Sequence, residues 1–131
     1  MNYDQFLIAL CLWREARGSS VQAMAAVMHV ILNRASDAQG RWPKTPHQVI
    51  LQKLQFSSFN RDDPNSIKFP IDDGGPDWKA WKQAEVVAFQ SLGGDPTKGA
   101  NHYHSEMPIP PKWANPDKLT VEIGQFSFYK L

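Results

Sequence analysis

Glu15 is the residue whose type and position most directly suggest chemistry. At 100° per residue it lies in line with Cys11, and it falls in the last turn of the first predicted helix. Burial beside this apolar stripe and the negative end of the helix dipole both disfavour an ionised carboxylate, so both would raise the pKa of Glu15. A general acid that works near neutral pH needs such a pKa. The alternative is an ordinary buried ion pair of Glu15 with Arg17 or His29.

Two other constellations of residues could carry chemistry. His102, His104 and Glu106 alternate along the chain, so on a strand they would share one face and could begin a zinc site. Such a site would still need a distant fourth ligand. Cys11 with His29 could form a thiol–imidazole pair, but cysteine in the middle of an apolar helix stripe is usually an inert small hydrophobe. We therefore expect no metal and no cofactor.

The helices that must position Glu15 begin at capping signals. Asn2 with Gln5 predicts the N-terminus of the first helix, and Gly18 predicts its end. Ser19 with Gln22 predicts the start of a second helix, which continues through an apolar stripe of the correct period. Two polar residues at the end of this second helix, Asn33 and Arg34, are expected to anchor the helix end rather than to touch a ligand.

Two further helices and a small sheet complete the predicted fold. Thr45-Pro46-His47-Gln48 predicts a capped third helix that carries Val49, Ile50 and Leu54, and after a long loop at 61–76 Asp77 caps a fourth helix closed by Gly93-Gly94. A strand is predicted at 101–105. Alternation at 119–123, followed by Gly124-Gln125, predicts a type II′ hairpin. The fold class is α+β, mainly helical, with four helices before a C-terminal antiparallel sheet, in one domain covering residues 1–131.

Composition excludes several classes of function. Of 131 residues, 42% are hydrophobic and 21% are charged, which are ordinary globular values. With 14 basic and 13 acidic residues, the net charge of +1 lacks the signature of a nucleic-acid binder. No apolar run approaches the roughly 20 residues of a membrane span. We therefore expect no nucleic-acid partner and no membrane insertion.

Five blocks, in order along nearly the whole chain, resemble the SleB-type cell-wall hydrolase family. They are Trp13-Arg14-Glu15-Ala16-Arg17-Gly18, Val30-Ile31-Leu32-Asn33-Arg34, Gln55-Phe56-Ser57-Ser58-Phe59, Gly99-Ala100-Asn101-His102-Tyr103-His104 and Ile123-Gly124-Gln125-Phe126-Ser127-Phe128-Tyr129. The resemblance implies a lysozyme-like lobe that cleaves peptidoglycan glycan strands, with Glu15 as catalytic acid. The chain departs from the family pattern at three positions: Arg14 replaces a usual Gly, Ser19 a common second Glu, and Phe126 a His.

The resemblance also implies the type of reaction. Glycoside hydrolysis normally uses two carboxylates, but the candidates for a second one, Asp62, Asp63, Asp72, Asp73, Glu85 and Glu106, fall outside the resembling blocks. Lytic transglycosylation needs one titrating carboxyl and leaves a 1,6-anhydro end, so it is the favoured reaction. Hydrolysis by a muramidase is the alternative. A non-catalytic glycan-binding module built on Trp78, Trp81 and Trp113 is a third interpretation.

The same blocks supply the expected substrate contacts. Gln55, Phe56 and Ser57 are expected to form a cleft wall beside Glu15, and Tyr103, His104 and Tyr129 are expected to touch the sugars. The resemblance therefore implies peptidoglycan as the partner, and we expect the protein to bind it as a monomer.

The N-terminal segment indicates where the protein is made. It has no basic region of the kind that opens a secretory signal, and Asp4 interrupts its apolar residues. This pattern favours synthesis in a host cytoplasm and action on the wall after release, as in a phage-type endolysin.

Overall fold

The computed structural model describes residues 1–52, 56–90 and 93–131. Within these ranges it confirms the expected α+β class, with four helices before a three-stranded antiparallel sheet. The α-helices are α1 (Tyr3–Ala16), α2 (Val21–Ala35), α3 (Pro46–Leu51) and α4 (Pro76–Gln90). The strands are β1 (His102–Ser105), β2 (Leu119–Ile123) and β3 (Phe126–Tyr129). Short 3₁₀ turns lie at Ser57–Phe59, Pro64–Ile67 and Pro116–Lys118.

Helix α1 is buried at the centre of the core. The predicted capping box is present: the Gln5 N–H donates to Asn2 Oδ1 at 2.8 Å, and the Asn2 N–H donates to Gln5 Oε1 at 2.9 Å. Every residue from 7 to 13 is buried, so this helix is covered on all sides rather than along one stripe. It ends at Ala16, and Gly18 takes the positive φ of 85° that favours glycine. Glu15 therefore stands just after the buried stretch of α1, where the helix approaches the surface.

The start of α2 differs from the prediction by one residue. Ser20, not Ser19, is the N-cap, and its hydroxyl accepts from the Ala23 N–H at 3.1 Å. The Ser19 N–H instead donates to the Ala16 carbonyl at 3.0 Å and so closes the end of α1. The predicted Ser19–Gln22 capping box is therefore wrong, because Ser19 lies in the turn that ends α1, one residue before the cap of α2.

Helix α3 is capped partly by a different element. Thr45 is its N-cap residue and Pro46 its first residue, as predicted, but the Thr45 hydroxyl donates to Gln48 Oε1 at 2.7 Å instead of capping the backbone. The His47 N–H donates to Asp4 Oδ1 of α1 at 3.0 Å. The tertiary contact thus replaces the local capping box. Leu54, predicted on this helix, lies outside the described residues.

Helix α4 begins at Pro76, two residues earlier than a cap at Asp77 predicts. A proline suits the first helical position because its φ is already helical and its missing N–H would be unpaired there. Asp77, predicted as the cap, consequently lies in the first turn. Of the described helices, none has the length and apolar character that crossing a membrane requires.

The sheet has two chemically different faces. Its order is β1-β3-β2, with Tyr103 opposite Phe128 and His104 opposite Ser127. Side chains alternate along a strand, so Tyr103 shares the core face with Phe126 and Phe128, which are both buried. His104 and Ser127 share the opposite face.

The hairpin between β2 and β3 has the predicted turn. Gly124 has a φ of 58°, whereas Gln125 is not among the described residues with positive φ. Positive φ at the first turn position alone is the type II′ pattern.

The end of α2 is bonded to the segment that leads into β1. The side-chain amide of Asn33 donates to Asp95 Oδ2 and to the Ala100 carbonyl, both at 2.8 Å. Arg34 Nε donates to the Asn101 carbonyl at 2.7 Å. These bonds confirm the predicted anchoring role of Asn33 and Arg34.

Candidate active site

Glu15 is half-buried and bonded to a buried serine. Ser58, 3% exposed, donates its hydroxyl to Glu15 Oε1 at 3.2 Å. Ser58 belongs to the 3₁₀ turn Ser57–Phe59, which follows α3 and packs near α1. A residue 43 positions away thus supplies the polar contact of the carboxyl.

The pKa of Glu15 is raised above its ordinary value. Burial is the largest cause, because it removes water from the charged form, and the negative charge of Asp63 acts in the same direction. The hydrogen bonds from Ser58 and the charge of Arg14 oppose the shift without cancelling it. Glu15 therefore keeps its proton to a higher pH than an exposed glutamate does, as a general acid requires.

The cations of the ion-pair alternative have other partners. Arg17 Nη1 lies 3.5 Å from Asp77 Oδ2, and the Arg17 guanidinium stacks 4.5 Å from the Trp13 ring centroid. His29 Nδ1 lies 3.9 Å from Asp95 Oδ1. Burial, not an ion pair with Arg17 or His29, therefore governs the charge of Glu15.

Arg14 ties the segment after α3 to the end of α1. Its guanidinium donates to three backbone carbonyls, those of Ser58 at 3.2 Å, Ser66 at 3.1 Å and Lys68 at 2.9 Å. It also lies 4.7 Å from the ring centroid of Phe59 and 5.2 Å from that of Phe69. The segment that carries Ser58 is thereby held against the helix that carries Glu15.

Tyr103 approaches Glu15 from the sheet. Its ring packs on the core face, with centroid distances of 5.6 Å to Phe126 and 6.0 Å to Phe128. Burial raises the pKa of the Tyr103 phenol well above its usual value, and the negative charge of Glu15 raises it further. A neutral phenol therefore lies within electrostatic reach of the acid.

His104 and Tyr129 form a separate pair, away from the core face. His104 Nε2 lies 2.9 Å from the Tyr129 hydroxyl, and the two rings stack at a centroid distance of 5.4 Å. Trp113 packs edge-on against Tyr129 at 5.4 Å. The structure thus places Tyr103 within electrostatic reach of Glu15, and it places His104 with Tyr129 and Trp113 instead.

The predicted cleft wall is described only in part. Phe56 is buried in the core, with its ring centroid 5.6 Å from the Arg34 guanidinium, so it does not present the exposed surface that a substrate contact needs. Ser57 opens the 3₁₀ turn. Gln55 and the side chain of Ser57 lie outside the described residues, so their substrate contacts stay predictions.

The structure does not support the alternative zinc site or the alternative thiol nucleophile. Across the described ranges, no three His, Cys, Asp or Glu side chains are grouped closely enough to hold a metal ion. Burial, with the charges of Arg34 and Arg41, lowers the pKa of His102 to about 4, and the ring lies 4.9 Å from that of Trp113. Cys11 is fully buried, and burial raises the pKa of its thiol well above the ordinary value. Such a thiol is a poor nucleophile.

Sequence reasoning missed Ser58 and the role of Arg14. Ser58 stands inside the Gln55–Phe59 block, but the pattern does not distinguish it from its neighbour Ser57. Arg14 stood out as a departure from the usual Gly, and this departure was the signal available. Its three carbonyl partners are 44 to 54 residues away, so only the fold shows them.

Comparisons with known proteins identify the family. The chain is similar in structure to the catalytic domain of the germination-specific lytic transglycosylase SleB from Bacillus anthracis, with a TM-score of 0.72, 26% identity, and coverage of 99% of this chain and 97% of that one. It is also similar to the catalytic domain of the Bacillus cereus SleB protein, with a TM-score of 0.65, 29% identity, and coverage of 97% and 89%. No curated protein sequence matches the chain.

The family model matches from Gly18 almost to the C-terminus. The match covers residues 18–129 and is described as Cell Wall Hydrolase. It begins just after Glu15, whereas the structural match to the Bacillus anthracis domain extends over nearly the whole chain and so takes in α1. By sequence over most of its length, and by fold over almost all of it, the chain belongs to the Cell Wall Hydrolase family.

Proposed function

We propose that this chain cleaves the glycan strands of peptidoglycan between N-acetylmuramic acid and N-acetylglucosamine, as a lytic transglycosylase with Glu15 as acid and base. The observation that carries the proposal is the half-buried Glu15 carboxyl at the end of the central helix, bonded to Ser58 and with a raised pKa. Membership of a cell wall hydrolase family and the likeness to two SleB catalytic domains support the choice of substrate.

One carboxyl is enough for the complete reaction. Protonated Glu15 gives its proton to the glycosidic oxygen as the bond from that oxygen to the sugar C1 breaks. The resulting carboxylate then takes the proton of the C6 hydroxyl of the same sugar, whose oxygen bonds to C1 and closes the 1,6-anhydro ring. Glu15 ends the cycle protonated, so the proton balance is zero. Burial favours the protonated starting state.

A hydrolytic muramidase is the second candidate, and the position of Asp63 favours it. The charge of Asp63 is close enough to raise the pKa of Glu15. Its carboxylate also caps the following 3₁₀ turn, with Oδ1 accepting from the Asn65 N–H at 2.8 Å. If Asp63 directs a water molecule to C1, the products carry ordinary reducing ends. If Asp63 serves only to cap the 3₁₀ turn, transglycosylation remains the expected reaction.

The decisive experiment is digestion of purified peptidoglycan by the wild type and by Glu15→Gln. The amide keeps the shape of the side chain but gives no proton to a leaving oxygen, so we expect at least a 10²–10⁴-fold loss of rate. Asp117→Asn, an exposed carboxylate in the turn before β2, is the matched control and should cut at the wild-type rate. Near-normal cutting by Glu15→Gln would overturn the proposal.

The products distinguish the two reactions. Mass spectrometry separates the anhydro end from the hydrolysed end because they differ by one water. Anhydro ends from wild type and from Asp63→Asn support the transglycosylase. Reducing ends that disappear in Asp63→Asn establish the muramidase instead.

In the cell, we propose that the chain acts as a phage-type endolysin. It would then reach the wall from the host cytoplasm only after the membrane has been opened.

A further inference from the structure

The guanidinium of Arg14 is fully engaged by one segment of the chain. Nη1 donates to the Ser58 carbonyl at 3.2 Å, and Nη2 donates to the Ser66 and Lys68 carbonyls at 3.1 and 2.9 Å. Nε adds a longer bond to Lys68 at 3.3 Å. This fork needs several donors in one plane, which arginine has and lysine lacks.

Ser58 connects this cluster to the acid. Its backbone carbonyl accepts from Arg14, and its hydroxyl donates to Glu15 Oε1 at 3.2 Å. Two consecutive residues of α1 thus hold opposite sides of one buried serine. Releasing the carbonyl would let the 3₁₀ turn move and would weaken the bond from the hydroxyl to Glu15.

We propose that Arg14 is a positioning residue, which holds the Ser58 hydroxyl on the Glu15 carboxyl by gripping the Ser58 carbonyl. The inference rests on the proposed function, since it describes how the acid of that reaction is tuned. Arg14 touches no reacting atom in this scheme. Its effect passes through Ser58.

Several other charged or titratable groups face Glu15 and must be kept constant. Cys11 lies one turn earlier on α1, and Tyr103 approaches from β1. Asp63 approaches from the loop after α3. Arg34 of α2 acts on Cys11 and Tyr103, and Asp77 of α4 is paired with Arg17. The variants below substitute none of these groups.

The test is a titration of the Glu15 carboxyl by carbon NMR, assigned with Glu15→Gln. Ser58→Ala removes a donor that favours the charged carboxylate, so the midpoint should rise by about 0.5 to 1 pH unit. Arg14→Lys keeps the positive charge but loses the fork, and it should raise the midpoint by a similar amount. Combining the two should raise it no further than Ser58→Ala alone, because both act on the same bond.

Arg17→Lys is the matched control on the same helix end. Arg17 contacts Asp77 and Trp13 rather than Ser58, so this variant should leave the Glu15 midpoint unchanged. Thermal denaturation checks that each variant folds, and Arg14→Gln serves as a second variant, whose larger shift also includes the loss of charge. An unchanged midpoint in Arg14→Lys, or shifts that add in the double variant, would overturn the proposal.

Rate against pH on peptidoglycan separates this inference from the proposed function. If Glu15 is the acid, the alkaline limb of the rate profile moves with the NMR midpoint in each variant. A midpoint that moves while the limb stays still would support the positioning role of Arg14 and would contradict the assignment of Glu15 as the acid.

Discussion

At the scale of single residues, two opposed influences act on Glu15. Burial and Asp63 favour the protonated carboxyl, whereas Ser58 and Arg14 favour the carboxylate, and the net effect raises the pKa. A reaction in which one group first gives and then takes a proton uses both states of that group, and the contacts of Glu15 include some that favour each state. Tyr103, neutral and half-buried, adds no competing charge.

The raised pKa has a consequence for stability. The folded protein holds the Glu15 proton above the ordinary value of 4.5, where the unfolded chain releases it. The folded state therefore loses stability as the pH rises through this range. Glu15→Gln should be more stable than the wild type near neutral pH and almost equal to it in acid.

Urea unfolding between pH 4 and pH 8 measures this difference. A Glu15→Gln protein that is less stable than the wild type throughout would indicate that the carboxylate takes part in a stabilising ion pair.

At the level of the elements, the turn around Asp95 precedes β1 in the chain and is hydrogen-bonded to α2. The Asp95 carboxylate accepts from the Thr97 N–H at 2.8 Å, the Thr97 hydroxyl at 2.6 Å and the Gly99 N–H at 2.9 Å, and from Asn33 of α2. Burial alone would raise the pKa of Asp95, but these hydrogen bonds outweigh it and lower the pKa. The turn delivers β1 to the core with Tyr103 facing inward.

Asp95→Asn should destabilise the protein by about 2 kcal/mol at neutral pH, since it weakens hydrogen bonds made to a charged group. The folded pKa of Asp95 is lowered, so this stability is present above the unfolded pKa and is lost as the pH falls through the folded pKa. The gap between wild type and variant should therefore shrink in acid.

Thermal or urea unfolding at several pH values checks this expectation. Asp72→Asn, in the exposed part of the long loop, is the control and should change little at any pH. Equal stability of Asp95→Asn and the wild type at neutral pH would show that the turn does not depend on the charge.

At the scale of the whole molecule, three parts of the chain meet at Glu15. The central helix α1 brings the carboxyl, the segment held by Arg14 brings Ser58 and Asp63, and the core face of the sheet brings Tyr103. His104 and Tyr129 lie together on a different part of the sheet. The site is therefore assembled by folding and is absent from any one element.

The proposed endolysin role predicts a dependence on the membrane. Expression in the cytoplasm of a susceptible bacterium should leave the culture intact, and brief treatment with chloroform should then clear it. Cells that express Glu15→Gln should stay turbid after the same treatment, because only cleavage of the wall causes lysis. The optical density of the cultures measures lysis before and after chloroform. Lysis on expression alone, without chloroform, would contradict the proposed mode of release.

Features that depend on neighbours within four residues could be predicted from the sequence. The Asn2–Gln5 capping box and the type II′ turn at Gly124 were predictable because each follows from local hydrogen bonds and backbone preferences. Glu15 at the end of an apolar helix was visible for the same reason. The Ser19 cap was predicted wrongly because two adjacent serines carry the same capping signal: the Ser19 N–H closes the end of α1 on the Ala16 carbonyl, and Ser20 caps α2.

The residues that surround the Glu15 carboxyl could be identified only from the folded protein. The choice of Ser58 over Ser57, the grip of Arg14 and the separation of Tyr103 from His104 and Tyr129 join residues 25 to 54 positions apart or depend on which face of the sheet meets the core. Such pairings carry no local signal, because the type of a residue does not show which distant group its hydroxyl or guanidinium will contact. The packing of the segment after α3 against α1 selects among them and so sets the environment of the acid.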